Sequence, residues 1–287
     1  MLVWSRRQAL LVRHGCPVGP TCHVDRFSKS QGMGLSVYLI TKNEGIYLSQ
    51  VLASCAGADE IVVVDSGSTD RTIEIAHAAG ARVIHQDWLG FARQKDFALR
   101  QCSHEWVLNL DGDEILSAGA MPLIRQAIER GSAVGYRIAR DDEFMGESMA
   151  ASHCRPFLRV YRRDQAVWDL SKTVHEHIEV PGSHPTIAGV MIHHKGYDSV
   201  TVYMDKLNRY AALKNVMWER DGRRGSLPRV LVAFPLALFK HLFLRRMILS
   251  GGRGFVRAMQ DAFYVFLAET MAYERTSRRR RSQGAGG

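Results

Sequence analysis

Asp111-Gly112-Asp113-Glu114 is the segment whose residue types come nearest to a reaction centre. Two carboxylates two positions apart, directly after an apolar run, can hold a hard divalent cation through oxygen ligands and leave room for diphosphate oxygens. A cation held there would neutralise charge gathering on a departing nucleoside diphosphate. The same four residues also read as an acidic surface turn, and the motif alone does not separate the two. The second concentration of polar residues is Asp65-Ser-Gly-Ser-Thr-Asp70. Asp65 ends an apolar run, where it could accept a hydrogen bond from a base or ribose, whereas Asp70 suits a structural cap for the next helix. The turn lacks the GxGxxG spacing of a dinucleotide site. Later come Val174-His175-Glu176, His193-His194 after the apolar Val190–Ile192, and the basic Arg155 and Arg159. Each has a plainer reading: a solvated strand acid, satisfied interior histidines, a basic strand.

The elements that must position these residues alternate along the first half. Strands are expected at 35–41, 60–65, 82–86 and 106–111, with helices at 45–56, 70–79, 90–102 and 120–130. Short continuous apolar runs separated by helices indicate buried parallel strands. In such sheets ligands bind beyond the carboxyl ends of the strands, which is where Thr41–Glu44, Asp65–Asp70 and Asp111–Asp113 fall. Residues 133–140, 155–163, 174–180 and 187–193 read as further strands, and 198–220, 228–249 and 254–275 as helices. The domain reading is a catalytic domain over 33–220, with a nucleotide half at 33–130 and an acceptor half at 131–220. An amphipathic helical extension follows over 221–276, then a disordered basic tail at 277–287. Residues 1–32 have no period, and Met33 stands directly before the first strand. It reads as the natural start, with 1–32 a disordered tail or an upstream-start artefact.

Bulk properties narrow the partners. The 287 residues are 46% hydrophobic and 23% charged, an ordinary globular composition, with a formal charge of +9. The excess lies late, in Arg220–Arg257 and Arg278–Arg281, among apolar runs rather than in a nucleic-acid-binding motif. That favours an anionic membrane surface over nucleic acid. Val230–Phe239, the longest apolar run of this region, is broken by Lys240 and His241, short of the ~18–20 residues needed to span a bilayer. The five cysteines show no CxxC pairing and read as reduced thiols.

Three motifs in order, Val37–Glu44, Ile61–Thr72 and Leu110–Glu114, resemble glycosyltransferase family 2, which has the α/β GT-A fold with a mostly parallel central sheet. Phe91–Leu99, Val174–Glu176 and His193-His194 make the chain similar to the branch of lipopolysaccharide core β-1,4-glucosyltransferases acting on inner-core heptose. The resemblance covers about residues 35–215 well. It implies an inverting hexosyltransferase that uses UDP-glucose and Mg²⁺ or Mn²⁺, peripheral on the inner face of a bacterial cytoplasmic membrane. By position, Thr41, Asn43, Glu44, Asp65, Lys95 and Asp111 would contact the nucleotide. Asp111, Asp113 and His194 would hold the metal, and Glu176 would deprotonate the acceptor hydroxyl. The acceptor implied is a lipid A-core or other membrane-associated glycan, and the C-terminal helices could instead pack on the catalytic domain or on a second copy of the chain. Two positions depart from the branch: Lys95-Asp96 replaces its usual Arg-Asn, and Gly112 replaces Ala. A polyprenyl-phosphate or polysaccharide transferase of the same family is the alternative. Further off is a nucleotide-sugar-binding protein without catalysis.

Overall fold

A computed structural model describes residues 33–149, 154–170, 178–197 and 199–284. The proposed start at Met33 with its 1–32 tail, and Glu176 in the 174–180 segment, fall outside these residues.

Strands β1 (Leu35–Thr41), β2 (Glu60–Asp65), β3 (Arg82–His85) and β4 (Trp106–Asp111) are parallel to their neighbours in the order β3-β2-β1-β4. All seven residues of β1 are buried, which is why its sequence reads as a continuous apolar run rather than an alternating one. Leu35, Val37 and Leu39 enter the core under α1 (Leu48–Ser54) and α4 (Ala120–Arg130). Tyr38 and Ile40 enter a second core on the opposite face, under α3 (Phe91–Gln101). Helix α2 (Thr72–Ala78) follows β2.

The sheet does not end at β4. The short β5 (Glu114–Leu116) leaves the acidic motif, and β6 (Gly135–Asp142), β7 (Cys154–Arg162) and β10 (Thr186–His194) complete an eight-stranded order, β3-β2-β1-β4-β7-β6-β10-β5. The added contacts β4–β7, β6–β7 and β10–β5 are antiparallel, and β6–β10 is parallel. The result is a mixed sheet with a parallel nucleotide-side half. A separate pair, β8 (Val167–Trp168) with β9 (Ile178–Glu179), lies beside it. β1 is flanked by β2 and by β4, so the order reverses there. A crevice outside the carboxyl ends of β1 and β4 follows from that reversal, with Thr41 and Asp111 at its lip.

The C-terminal region departs from the expected pattern. Helix α5 (Val200–Arg220) starts at Ser199, whose hydroxyl accepts from the Val202 amide at 3.2 Å. The single helix expected over 228–249 is instead α6 (Leu227–Phe239), a π-helical turn at Lys240–Leu244 and a 3₁₀ turn at Met247–Ser250. Pro235 inside α6 removes one helical hydrogen bond, and Arg246 adopts a left-handed conformation at φ 57°. Helix α7 runs from Gly251 to Gly284, so most of the expected disordered tail is helical. The reason is local pairing that the run of arginines conceals: Arg278 binds Glu274 one turn back, and Arg279 reaches Glu219 on α5. Leu227–Leu244 is, by length and composition alone, apolar enough to cross a bilayer, with mean hydropathy 1.6 and only 17% of it buried. Val230–Phe239 read alone falls short of a span, and the longer window around it does not.

Candidate active site

A cleft of about 1440 Å³ opens over the carboxyl ends of β1 and β4. One wall is Ile40–Lys42, Glu44 and the exposed pair Trp88 and Phe91. The floor carries Lys95, Asn109 and Asp111–Asp113, and the far side is built by β6, β7, His194, Tyr197 and α5.

The acidic motif is held from beneath. Glu114 is fully buried and accepts from the Asp111 amide at 3.0 Å. It also binds Arg140 at 3.1 Å and Arg159. Two guanidiniums therefore tie the strand after the motif to β6 and β7, offsetting the cost of one buried carboxylate. Arg159, which reads as part of a basic strand, is a buried strut that also donates to Asn109 at 3.2 Å. Asp111 faces the buried Lys95 at 2.9 Å and lies 3.7 Å from Arg159. Burial alone would raise the Asp111 carboxyl, but these two cations hold it well below the usual carboxylate range.

Asp113 points the other way. Its Oδ2 lies 3.3 Å from Nε2 of His194, whose Nδ1 meets Asp142 at 2.8 Å. Burial opposes charge on the imidazole, but its contacts with the Asp113 and Asp142 carboxylates push it up to about 10. Two ligands of one cation bound at roughly 2.0–2.2 Å, at right angles, stand about 3 Å apart, close to the observed separation. A Cβ placed on Gly196 would lie 2.6 Å from Asp113 Oδ2 and 2.8 Å from His194 Nε2. The absence of a side chain there keeps the space between the two donors open. With a cation in place of the Nε2 proton, Asp142 on the second ring nitrogen would fix the tautomer that presents Nε2, an arrangement common behind metal-bound histidines. The donor chemistry and spacing thus fit a hard divalent cation. Among the described residues no three such side chains already converge to ligand distance, because Asp111 is engaged by Lys95.

Of the other expected site residues, Glu44 lines the cleft. Burial, then Asp113 and Asp111, raise its carboxyl to about 7. A Cβ on Gly112 would come within 2.6 Å of Glu44 Cγ, so glycine at 112 accommodates this placement of the glutamate. Thr41 lines the cleft, with its hydroxyl turned to Asp65 at 3.0 Å. Asp65 and Asn43 differ from expectation. Asp65 is 1% exposed and accepts from the Gly67 and Ser68 amides at 2.9 and 2.7 Å. Asn43, at φ 58°, accepts from the Thr69 amide at 2.8 Å. Both shape the β2–α2 turn instead of facing the cleft, because their acceptor oxygens are used by backbone amides. Asp70 is structural as expected, accepting from the amides of Thr72 and Gly45, each at 3.0 Å. Sequence reasoning missed Asp142, Arg140, Tyr197 and Lys206; among these, only the Lys195–Ser199 stretch beside the histidines gave a signal.

The family model for glycosyl transferase family 2 matches residues 36–185. The lipopolysaccharide core biosynthesis glycosyltransferase LpsC of Rhizobium meliloti is 33% identical over 254 residues, spanning 84% of this chain and 92% of that protein. Among solved structures, S. aureus TarS 1–349 matches 83% of this chain and 90% of its own, with 16% identity and a TM-score of 0.43. Glucosyl-3-phosphoglycerate synthase of Mycobacterium tuberculosis, solved with Mn²⁺, UDP-glucose and phosphoglyceric acid, matches 47% of this chain and 58% of its own, with 21% identity and a TM-score of 0.36.

Proposed function

This chain belongs to glycosyl transferase family 2 and has the GT-A fold; on that premise we propose that it transfers glucose from UDP-glucose, with inversion, to a heptose of a lipopolysaccharide inner core at a membrane surface. The observation that carries the donor side is the 3.3 Å approach of Asp113 to His194 beside Gly196, next to Asp111 and Lys95. Asp113 and His194, with Asp111 alongside, would hold Mg²⁺ or Mn²⁺, which when bound would supply positive charge for a departing diphosphate. Lys95 holds Asp111 in place from the buried side, and Trp88 and Phe91 offer ring surface at the cleft's edge for the nucleoside. Glu176 is the proposed base, taking the acceptor hydroxyl's proton as that oxygen attacks the anomeric carbon.

A membrane-borne acceptor is supported by the surface of α6 and the turns after it. Leu231, Leu236, Phe239 and Leu244 stand 56–71% exposed, with Lys240, Arg245 and Arg246 among them. Apolar side chains interleaved with cations suit the interface of an anionic leaflet. The length of Leu227–Leu244 favours a polyprenyl-phosphate acceptor instead.

The test is release of nucleoside diphosphate from a panel of nucleotide sugars, with Mg²⁺ or Mn²⁺, over membranes bearing truncated lipopolysaccharide or polyprenyl phosphate. Release from UDP-glucose that needs both metal and lipopolysaccharide, and disappears in Asp113→Ala and Glu176→Gln, is expected. Turnover only on polyprenyl phosphate would transfer the acceptor assignment, and an active Glu176→Gln would remove the base.

A further inference from the structure

Outside the cleft, a buried cation is enclosed by aromatic rings. Arg257 on α7 is 6% exposed, and its guanidinium carbon lies 4.3 Å from the Tyr203 ring centre, 4.4 Å from Tyr197 and 5.4 Å from Phe144. The three rings come from different places: the segment after β6, the segment after β10, and α5. Burying a guanidinium costs several kcal/mol unless it is compensated. Here the compensation is three π faces and Asp261, one turn on at 3.9 Å. Asp261 is itself fixed by the Tyr203 hydroxyl and by His241 at 3.2 Å. Packing α7 against the catalytic domain would need only apolar contacts, so a buried charge at this place calls for a use.

Tyr197 supplies one. Its ring meets the His194 ring edge-on, with centroids 5.0 Å apart and planes at 90°. The imidazole is anchored at both nitrogens, Nδ1 by Asp142 and Nε2 facing Asp113. The Cβ–Cγ bond leaves the ring one torsion, and both anchors and the perpendicular Tyr197 ring oppose it. Tyr197 in turn is pressed from behind by Tyr203, at 4.8 Å and 76°, and by Arg257. We infer that Arg257, held by Asp261, is a positioning residue: through Tyr197 it sets the plane of the His194 ring and so the direction in which Nε2 presents its lone pair. The C-terminal helices are then part of the donor site's construction. This rests on the reading of His194 as a metal ligand. A ligating group must be held within about 0.5 Å and 10–20° of its working geometry, which is the precision a stacked ring and a caged cation provide.

The experiment uses the full chain and reads Mn²⁺ binding in the presence of UDP, by the EPR signal of free Mn²⁺, without turnover. A second reading, without metal, is the ring NMR signals of His194, assigned by their loss in His194→Gln. Arg257→Gln and Tyr197→Leu are each expected to weaken Mn²⁺ binding about tenfold and to shift the His194 signals. The double variant should be no weaker than either single one, since both act through the same ring. Tyr197→Phe, which keeps the ring, should bind like wild type. Glu269→Gln is the structural control: it breaks the α7 ion pair with Arg223, far from any ring of the cage. Unchanged Mn²⁺ affinity and unchanged His194 signals in Arg257→Gln overturn the inference. So does an equal loss in Glu269→Gln, which would reduce Arg257 to general support of the helix. If wild type binds no Mn²⁺ while Arg257→Gln still shifts the His194 signals, the positioning stands and the metal reading falls.

Discussion

The nucleotide-side half and the C-terminal helices treat their residues in opposite ways. Around β1–β4 the apolar side chains are consumed by two cores, and the polar ones are consumed by the loops. In α6 and the turns that follow, large apolar side chains face outward; Ala233, Ala237, Leu242 and Met247 are buried, and His241 joins the charged and aromatic network around Arg257 and Asp261 of α7. The first arrangement is self-sufficient and leaves few groups free, and Asp113 at its edge pairs instead with His194 across the cleft, on β10. The second is complete only against something else, and its buried charges link it to the first.

The sharpest way to break this contrast is at Asp113. Asp113→Ala should lower metal-dependent diphosphate release by on the order of 10³-fold, with a smaller loss of stability than at Glu114, because Asp142 still partners the His194 imidazole. Its near neighbour should behave in the reverse manner. Glu114→Gln leaves Arg140 and Arg159 without their shared carboxylate and should destabilise the fold by about 3–5 kcal/mol in denaturant titrations. If Glu114→Gln were stable and merely slow, the division between structural and chemical acids would be wrong. Asp142→Asn lies between the two: about 10–100-fold weaker Mn²⁺ binding in an otherwise stable protein is expected from loss of a histidine's outer partner.

A pH experiment sharpens the same division. In chelator, Glu44 has a folded value of about 7 against 4.5 unfolded, through burial and then the Asp113 and Asp111 charges. The folded state therefore favours the protonated form. The contribution is fully present below pH 4.5 and is lost as pH rises through 7. Melting temperature should fall across that window, and Glu44→Gln should flatten the fall; an unchanged slope would place the titration elsewhere. On the C-terminal side, Leu236→Glu with Leu244→Glu should reduce sedimentation with anionic vesicles several-fold while leaving Mn²⁺ and UDP binding intact. Smallest of all is Asp96→Asn. Its partner is the exposed Arg100 one turn along α3, and donor KM should change by less than about twofold.

Much of this was legible in the sequence, for identifiable reasons. The strands β1, β2 and β4 are buried on both faces and so appear as unbroken apolar runs. Asp113 and His194, singled out in the sequence, lie 3.3 Å apart across the cleft. Asp65 and Asn43 were harder to read, because capping a turn and binding a ribose call for the same residue types, and only geometry shows their oxygens accepting from turn amides. Arg140, Arg159 and Asp142 act on residues 26 to 52 positions away, and no local pattern records such pairings. The break at Arg246 was hidden for another reason: its left-handed backbone is carried by a residue that normally continues a helix.

Helix α7 also acts as a ruler. At 1.5 Å per residue its 34 residues measure about 50 Å, longer than a bilayer's hydrocarbon layer is thick. One end adjoins the apolar 3₁₀ turn with Ile248 and Leu249, and the other carries Arg278–Arg281. A flat surface that met both ends at once would have to lie along the helix. It would fix the tilt of the whole molecule, and with it the angle at which an acceptor anchored in that surface enters the cleft.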